Sequence, residues 1–303
     1  MFRILLLIFI TAAFLYSSCG KENKETSSAD TEVTLPLNLP TPIPPEGYDR
    51  EDALNYISYH FWDSLDRKDT TLLHDTDFIE QNFANYALFL SHTTDTVIRK
   101  EGVKNLMESL QSDTAAYNLM GKIAYHYLYN PNSPMYSEES FIPFMEVLET
   151  SPLVDATNKL RISFLLENAR KNRPGTKASD FSFITREGKN ISLHSLPSEN
   201  DILLMFYDPD CDSCQDHISR MKTNEALAKL IENGSLTIVA IYSGENREAW
   251  IKSAGDLPKE WIVGYEPGSL EDNELYYFRA SPTFYLLNKE KQVINKDFLS
   301  DLW

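Results

Sequence analysis

Thiols are scarce in this chain: its 303 residues include three cysteines, at positions 19, 211 and 214. Three cysteines provide no framework of widely spaced disulfides, and a bridge between 211 and 214 would close only two intervening residues, which constrains an unfolded chain very little. Positive charge is scarce as well. Lys and Arg number 28 against 45 Asp and Glu, a formal charge of -17, and such a surface repels phosphate backbones, so nucleic acid is excluded as a partner. The apolar run at the amino end, Ile4 to Leu15, is too short to cross a bilayer. His60, His74, His92 and His126 lack the i, i+4 spacing of paired metal ligands and read as ordinary helix or loop residues. No fixed-period repeat is present.

What the chain does have is enough apolar residue content, 42%, to fill two cores. At the amino end MFRILLLIFITAAFLYSSC combines one basic residue, an apolar stretch and small residues before Cys19, the layout of a secretion signal over residues 1–19. The segment resembles a bacterial lipoprotein signal, although Tyr16 and Ser17-Ser18 displace Leu15 by one position from the usual pattern. The resemblance implies a lipidated Cys19 as the first residue of the mature protein, anchored in the cell envelope, on the periplasmic side or the outer surface of an outer membrane. Residues 20–47 are polar and then rich in proline (Pro36, Pro40, Pro42, Pro44, Pro45). They read as a tether, extending about 3.1 Å per residue where polyproline-like.

Residues 48–171 carry helical periodicity. In EDALNYISYHFWDSLD the residues Leu54, Ile57, Phe61, Trp62 and Leu65 recur at three- and four-residue spacing behind Asp49, a candidate N-cap. The pattern predicts an all-α domain of five or six helices. Tyr117, Tyr125, Tyr127 and Tyr129 fall in one helical segment and read as packing and interface residues rather than a sugar-stacking platform.

From residue 172 to 303 the pattern changes. FSFIT and NISLH, around Arg186-Glu187-Gly188-Lys189, predict a hairpin. The apolar runs Ile202–Tyr207 and Leu236–Tyr242 enclose a helical stretch from about Cys211 to Asn233. Strand, helix and strand of these lengths form a βαβ unit with Cys211 at the strand's carboxyl end and the helix's amino end. Unpaired amides there stabilise a thiolate, the form that attacks disulfides. Cys214, one turn on, is placed to attack a mixed disulfide at Cys211 and release the partner.

Four stretches in order carry a family resemblance: GTKASDFSFITREGKNISLHSL, LLMFYDPDCDSC, REAWIKSAGDLPKEWIVGY and RASPTFYLLNKEKQVI. The carboxyl-terminal part resembles thioredoxin-like domains of the TlpA and AhpC/TSA type, which implies a central mixed sheet flanked by helices. It also implies that Ser281-Pro282-Thr283 is a cis-proline turn bringing residue 281 beside the cysteines to shape a groove for partner chains. Met205 stands where many thioredoxins carry a buried acid, Asp208, Asp210 and Asp212 crowd Cys211, and after VINKDF only LSDLW remains, which leaves the usual final helix reduced or missing. The helical part, with YHFWDSLDRKDT, resembles an uncharacterised helical domain that precedes thioredoxin-like domains in lipoproteins of Gram-negative bacteria.

The leading reading is a thiol-disulfide oxidoreductase of the cell envelope, reductase- or isomerase-like, with Cys211 attacking, Cys214 resolving and Ser281-Pro282 in the groove. It needs no cofactor. Its partners are protein thiols and disulfides and a membrane reductase that donates electrons. A second reading, Cu(I) or Zn handling through Cys211, Cys214 and His217, suits the ligand types. It suffers because a helix turns His217 about 240° away from Cys211 at 3.6 residues per turn. A third is a binding scaffold in which the helical domain does the work.

Overall fold

The computed structural model describes residues 38–197 and 199–297. The signal, Cys19, most of the tether and the terminal LSDLW lie outside the described residues.

Aspartates organise the helical half. Asp49, Asp69, Asp75, Asp95, Asp113 and Asp155 are N-caps, each accepting backbone N–H bonds from the turn it opens, and Ser137 does the same for the remaining helix. Short polar caps satisfy the amides that a helix start leaves unpaired, so part of the acid excess is structural. Among the described residues this half contains α1 (Arg50–His60), α2 (Thr70–His74), α3 (Thr76–His92), α4 (Thr96–Ser109), α5 (Thr114–Tyr129), α6 (Glu138–Thr150) and α7 (Ala156–Ala169). The seventh element beyond the expected count is α2, one turn long and too short to show a period. α3 buries Phe78, Ile79, Phe83, Tyr86, Ala87 and Leu90, the i, i+3, i+4 stripe that faces a core. Phe83 meets Tyr86 and Phe144 there, and Tyr117 and Phe141 are likewise fully buried.

Residues 38–47, assigned by sequence to the tether, do not hang free at their start. Leu39 N–H donates to Asn82 Oδ1 (2.7 Å) and Asn85 donates to Asn38 Oδ1 (3.0 Å), which ties the segment to α3.

The second half is a seven-stranded mixed sheet of β1 (Ser182–Thr185), β2 (Asn190–Ser192), β3 (Asp201–Phe206), β4 (Leu236–Ser243), β5 (Ile262–Glu266), β6 (Thr283–Leu287) and β7 (Val293–Lys296), in the order β2-β1-β5-β4-β3-β6-β7. The predicted hairpin is β1–β2 and the predicted βαβ unit is β3–β4, paired in parallel from Asp201↔Leu236 to Phe206↔Ile241. β3 is an interior strand, between β4 and β6, and buried on both faces. Leu203, Met205 and Tyr207 pack into a cluster with Ile218, Met221 and Trp250, while Ile202, Leu204 and Phe206 enter the opposite cluster with Phe181, Tyr276 and Tyr285. This is the period-two alternation of a strand sandwiched between layers. The helical stretch between β3 and β4 is broken in two, α8 (Asp212–Thr223) and α9 (Glu225–Glu232), because Asn224 ends one and caps the next. α10 (Arg247–Ala254) follows β4. No helix among the described residues is long and apolar enough to cross a membrane.

A candidate thiol site at the carboxyl end of β3

β3 ends at Phe206, and Tyr207 continues its alternation into the core before the chain turns. Asp208 makes that turn: its Oδ1 accepts from Asp210 N–H (2.8 Å) and its carbonyl from Cys211 N–H (3.2 Å). Cys211 is the N-cap of α8, with extended backbone (φ -93°, ψ 117°). Its Sγ accepts from Cys214 N–H (3.3 Å), so the sulfur occupies the place of an N-cap oxygen, at the positive end of a twelve-residue helix.

The two thiols, both free, differ in surroundings. Cys211 is half-buried, with Asp212 and Ser213 exposed beside it. Cys214 is fully buried in the cluster of Leu203, Met205 and Tyr207. Burial pushes its thiol up to about 12, with Cys211 and the Asp208 carboxylate adding in the same direction and the Asp208 N–H, 3.5 Å from Cys214 Sγ, opposing. Met205 is buried under the site, so no carboxylate occupies that position. Burial likewise raises the Tyr207 phenol to about 12, and its hydroxyl lies 3.2 Å from Ser253 Oγ.

Across from the cysteines the Ser281-Pro282 peptide is cis. Cys211 Sγ–H donates to the Ser281 carbonyl at 3.5 Å. Thr283 pairs with Phe206 at the start of β6, which fixes the turn against the strand that leads to Cys211. Cys211, Cys214 and Ser281 are thus brought together, with buried Pro282 beneath the exposed Ser281. A groove of about 540 Å³ runs past Pro209, Gln215, Lys222, Asn246, Lys252 and Asp256 on the α8–α10 side. A half-buried thiol, a buried thiol one turn on and a backbone carbonyl facing the first are an arrangement chemically able to form and resolve a mixed disulfide.

His217 does not join the cysteines. Its Nδ1 is buried without a hydrogen-bond partner, its ring lies 6.0 Å from that of Phe284, and burial lowers its pKa. Among the described residues no group of three or more His, Cys, Asp or Glu side chains is arranged to hold a metal ion.

Sequence reasoning missed Arg279, two residues before Ser281. Its side chain is only 7% exposed and reaches into the helical half, to Glu138 and Tyr129. A charge inside the otherwise apolar LYYFRASP was the available signal.

Residues 16–172 match a family described as a domain of unknown function, DUF5106. No curated protein matches the chain. Among solved structures, a thioredoxin-like protein from Bacteroides caccae is 33% identical over 85% of this chain and 93% of its own, with a TM-score of 0.76. A conserved protein of unknown function from Bacteroides fragilis is 40% identical over 41% of this chain and 91% of its own, with a TM-score of 0.39. A thiol-disulfide oxidoreductase from the same species is 21% identical over 40% of this chain and 90% of its own, with a TM-score of 0.35.

Proposed function

This chain belongs to the thioredoxin-like proteins and carries the DUF5106 domain in its amino-terminal half, and from that premise we propose that it is a thiol-disulfide oxidoreductase of the cell envelope. The observation that carries the reading is the placing of Cys211 Sγ between the Cys214 amide and the Ser281 carbonyl.

In the reducing direction the Cys211 thiolate attacks one sulfur of a partner disulfide, the other partner sulfur leaves as a thiolate and takes up a proton, and a mixed disulfide forms. Cys214 then loses its proton and attacks Cys211 Sγ. The second partner thiol departs, and two electrons have passed from the Cys211–Cys214 dithiol to the partner. Burial keeps Cys214 a thiol until that step, and the Asp208 N–H is the donor placed to receive its charge. A partner chain laid across Cys211 would meet Ser281, an exposed residue. Restoring the dithiol requires a two-electron donor, for which a membrane reductase is the expected class. Lipidation at Cys19 would hold the domain at a membrane surface.

The test is a Cys214→Ser variant expressed in the native cell. Arrested mixed disulfides at Cys211, absent from a Cys211→Ser, Cys214→Ser control, support the reading and identify the partners. No trapped partner in membrane or periplasmic fractions opposes it.

A further inference from the structure

The two halves meet in a buried knot of charge. On the helical side stand Tyr129 at the end of α5, Tyr136 in the connection and Glu138 at the start of α6; on the sheet side stand Arg279, Lys296 and Asp297. The Arg279 guanidinium lies between two rings, 4.2 Å from the Tyr129 centroid and 4.3 Å from that of Tyr136, and donates to the Tyr129 carbonyl. Its Nε is 3.5 Å from Glu138 Oε1 and its Nη2 3.6 Å from Asp297 Oδ2. Lys296 Nζ closes the circuit, 2.5 Å from Glu138 Oε2 while donating to the Lys171 carbonyl (3.0 Å). Tyr136 Oη donates to Asp297 Oδ2 (3.3 Å), and the Asp297 N–H donates to the Phe284 carbonyl (2.9 Å).

Such a knot would hold two halves together wherever it sat. Its position gives it more to do. Residues 276–282 form no regular element; β6 pairing begins at Thr283, whose hydroxyl donates to the Ala280 carbonyl (2.7 Å), and upstream the nearest deeply buried ionic anchor is Arg279. One residue, Ala280, separates Arg279 from Ser281, whose carbonyl meets Cys211. Lysine would substitute only in part, since only the planar fork both stacks between two rings and spreads its donors over two carboxylates.

We propose that Arg279 is a positioning residue through which the helical domain holds the Ser281 carbonyl against Cys211 and keeps the partner groove in shape. The domain of unknown function is then part of the thiol site's framework. The inference deepens the oxidoreductase reading and rests on it for its kinetic readout only.

The experiment compares the full chain with Arg279→Met, Arg279→Lys and, from the other half, Tyr136→Leu, which removes one ring and its hydroxyl bond to Asp297 but leaves the Arg279 and Lys296 ion pairs. Two quantities are read: the rate at which iodoacetamide alkylates Cys211 in the reduced protein, and kcat and KM for dithiothreitol-driven reduction of insulin. Release of the Ser281 carbonyl uncovers the thiol, so alkylation of folded Arg279→Met is expected to quicken about threefold or more. KM for insulin should rise about fivefold to tenfold with kcat changed less than about twofold, the pattern of a lost binding surface. Arg279→Lys should fall between, and Tyr136→Leu should move both quantities the same way by less. If Arg279→Met does not fold, Tyr136→Leu decides alone. Folded variants with wild-type alkylation rate and wild-type KM overturn the proposal, leaving Arg279 as glue between domains. If wild-type protein fails to reduce insulin, the oxidoreductase reading is what suffers, and the alkylation rates still decide whether Arg279 positions the loop.

Discussion

Cys211 Sγ donates to the carbonyl oxygen of Ser281, 70 residues away in sequence, at 3.5 Å. On its other side the same sulfur accepts the amide of Cys214 at 3.3 Å. Cys211 Sγ therefore has one donor and one acceptor from the backbone, while Cys214 sinks into the core. The proposed division into an attacking and a resolving thiol rests on this asymmetry.

Alkylation should expose it. In the reduced, folded protein at pH 8, iodoacetamide should modify Cys211 and spare Cys214, whose thiol is fully buried and pushed up to about 12. The second modification should be slower by on the order of a hundredfold or more until the chain is unfolded. Peptide mass mapping of timed samples checks this, and equal rates would remove the resolver's protection.

The same burial predicts a pH effect with a definite sign. An unfolded Cys214 ionises near 9, whereas the folded one holds its proton to about 12. Between those values the unfolded state binds fewer protons, so the reduced protein loses stability as pH rises from about 9 toward 12. The disulfide form has no such thiol. Urea midpoints of the two forms should diverge over that window, with the reduced form falling faster.

Packing on the sheet face opposite Cys214 leaves no room at Gly264 in β5. A Cβ there would lie 2.3 Å from a Phe183 ring carbon and 2.6 Å from Ile241 Cδ1, and both neighbours belong to the buried sheet. Gly264→Ala should destabilise by about 1–3 kcal/mol through overpacking, read as a lower denaturation midpoint with an unchanged m-value.

Much of this was legible in the sequence. Asp49 and its apolar stripe marked α1, and the apolar run Ile202–Tyr207 marked the strand that leads to Cys211. What escaped has physical reasons. α2 is five residues long and has no room for a period. The break at Asn224 hides inside a continuing helical pattern, since one asparagine closes α8 and opens α9. The proline-rich stretch gave no sign that Leu39 docks on Asn82, because a single backbone bond leaves no periodic trace. Arg279 meets Tyr129 across 150 residues, and no local pattern encodes a partner that distant.

The acids beside Cys211 should set its redox poise. The Asp208 carboxylate adds to the burial that disfavours a Cys214 thiolate, Asp210 and Asp212 place further negative charge beside the pair, and a less favoured thiolate means a less favoured reduced form. Replacing Asp210 and Asp212 by Asn should raise the Cys211–Cys214 potential, measured side by side in the same glutathione buffers. An unchanged potential would defeat the electrostatic argument and leave the family assignment untouched.

The central claim is that Cys211 and Cys214 form a reversible two-electron couple. Equilibrating the purified chain with graded dithiothreitol and glutathione buffers, quenching with acid and counting free thiols tests it most directly. The account predicts one intramolecular disulfide, a two-electron titration curve, and a potential nearer the reducing end of the thioredoxin-like range, roughly -270 mV, than the oxidising end, roughly -120 mV. Two thiols that stay reduced across the whole series, or that pair only between molecules, would contradict it.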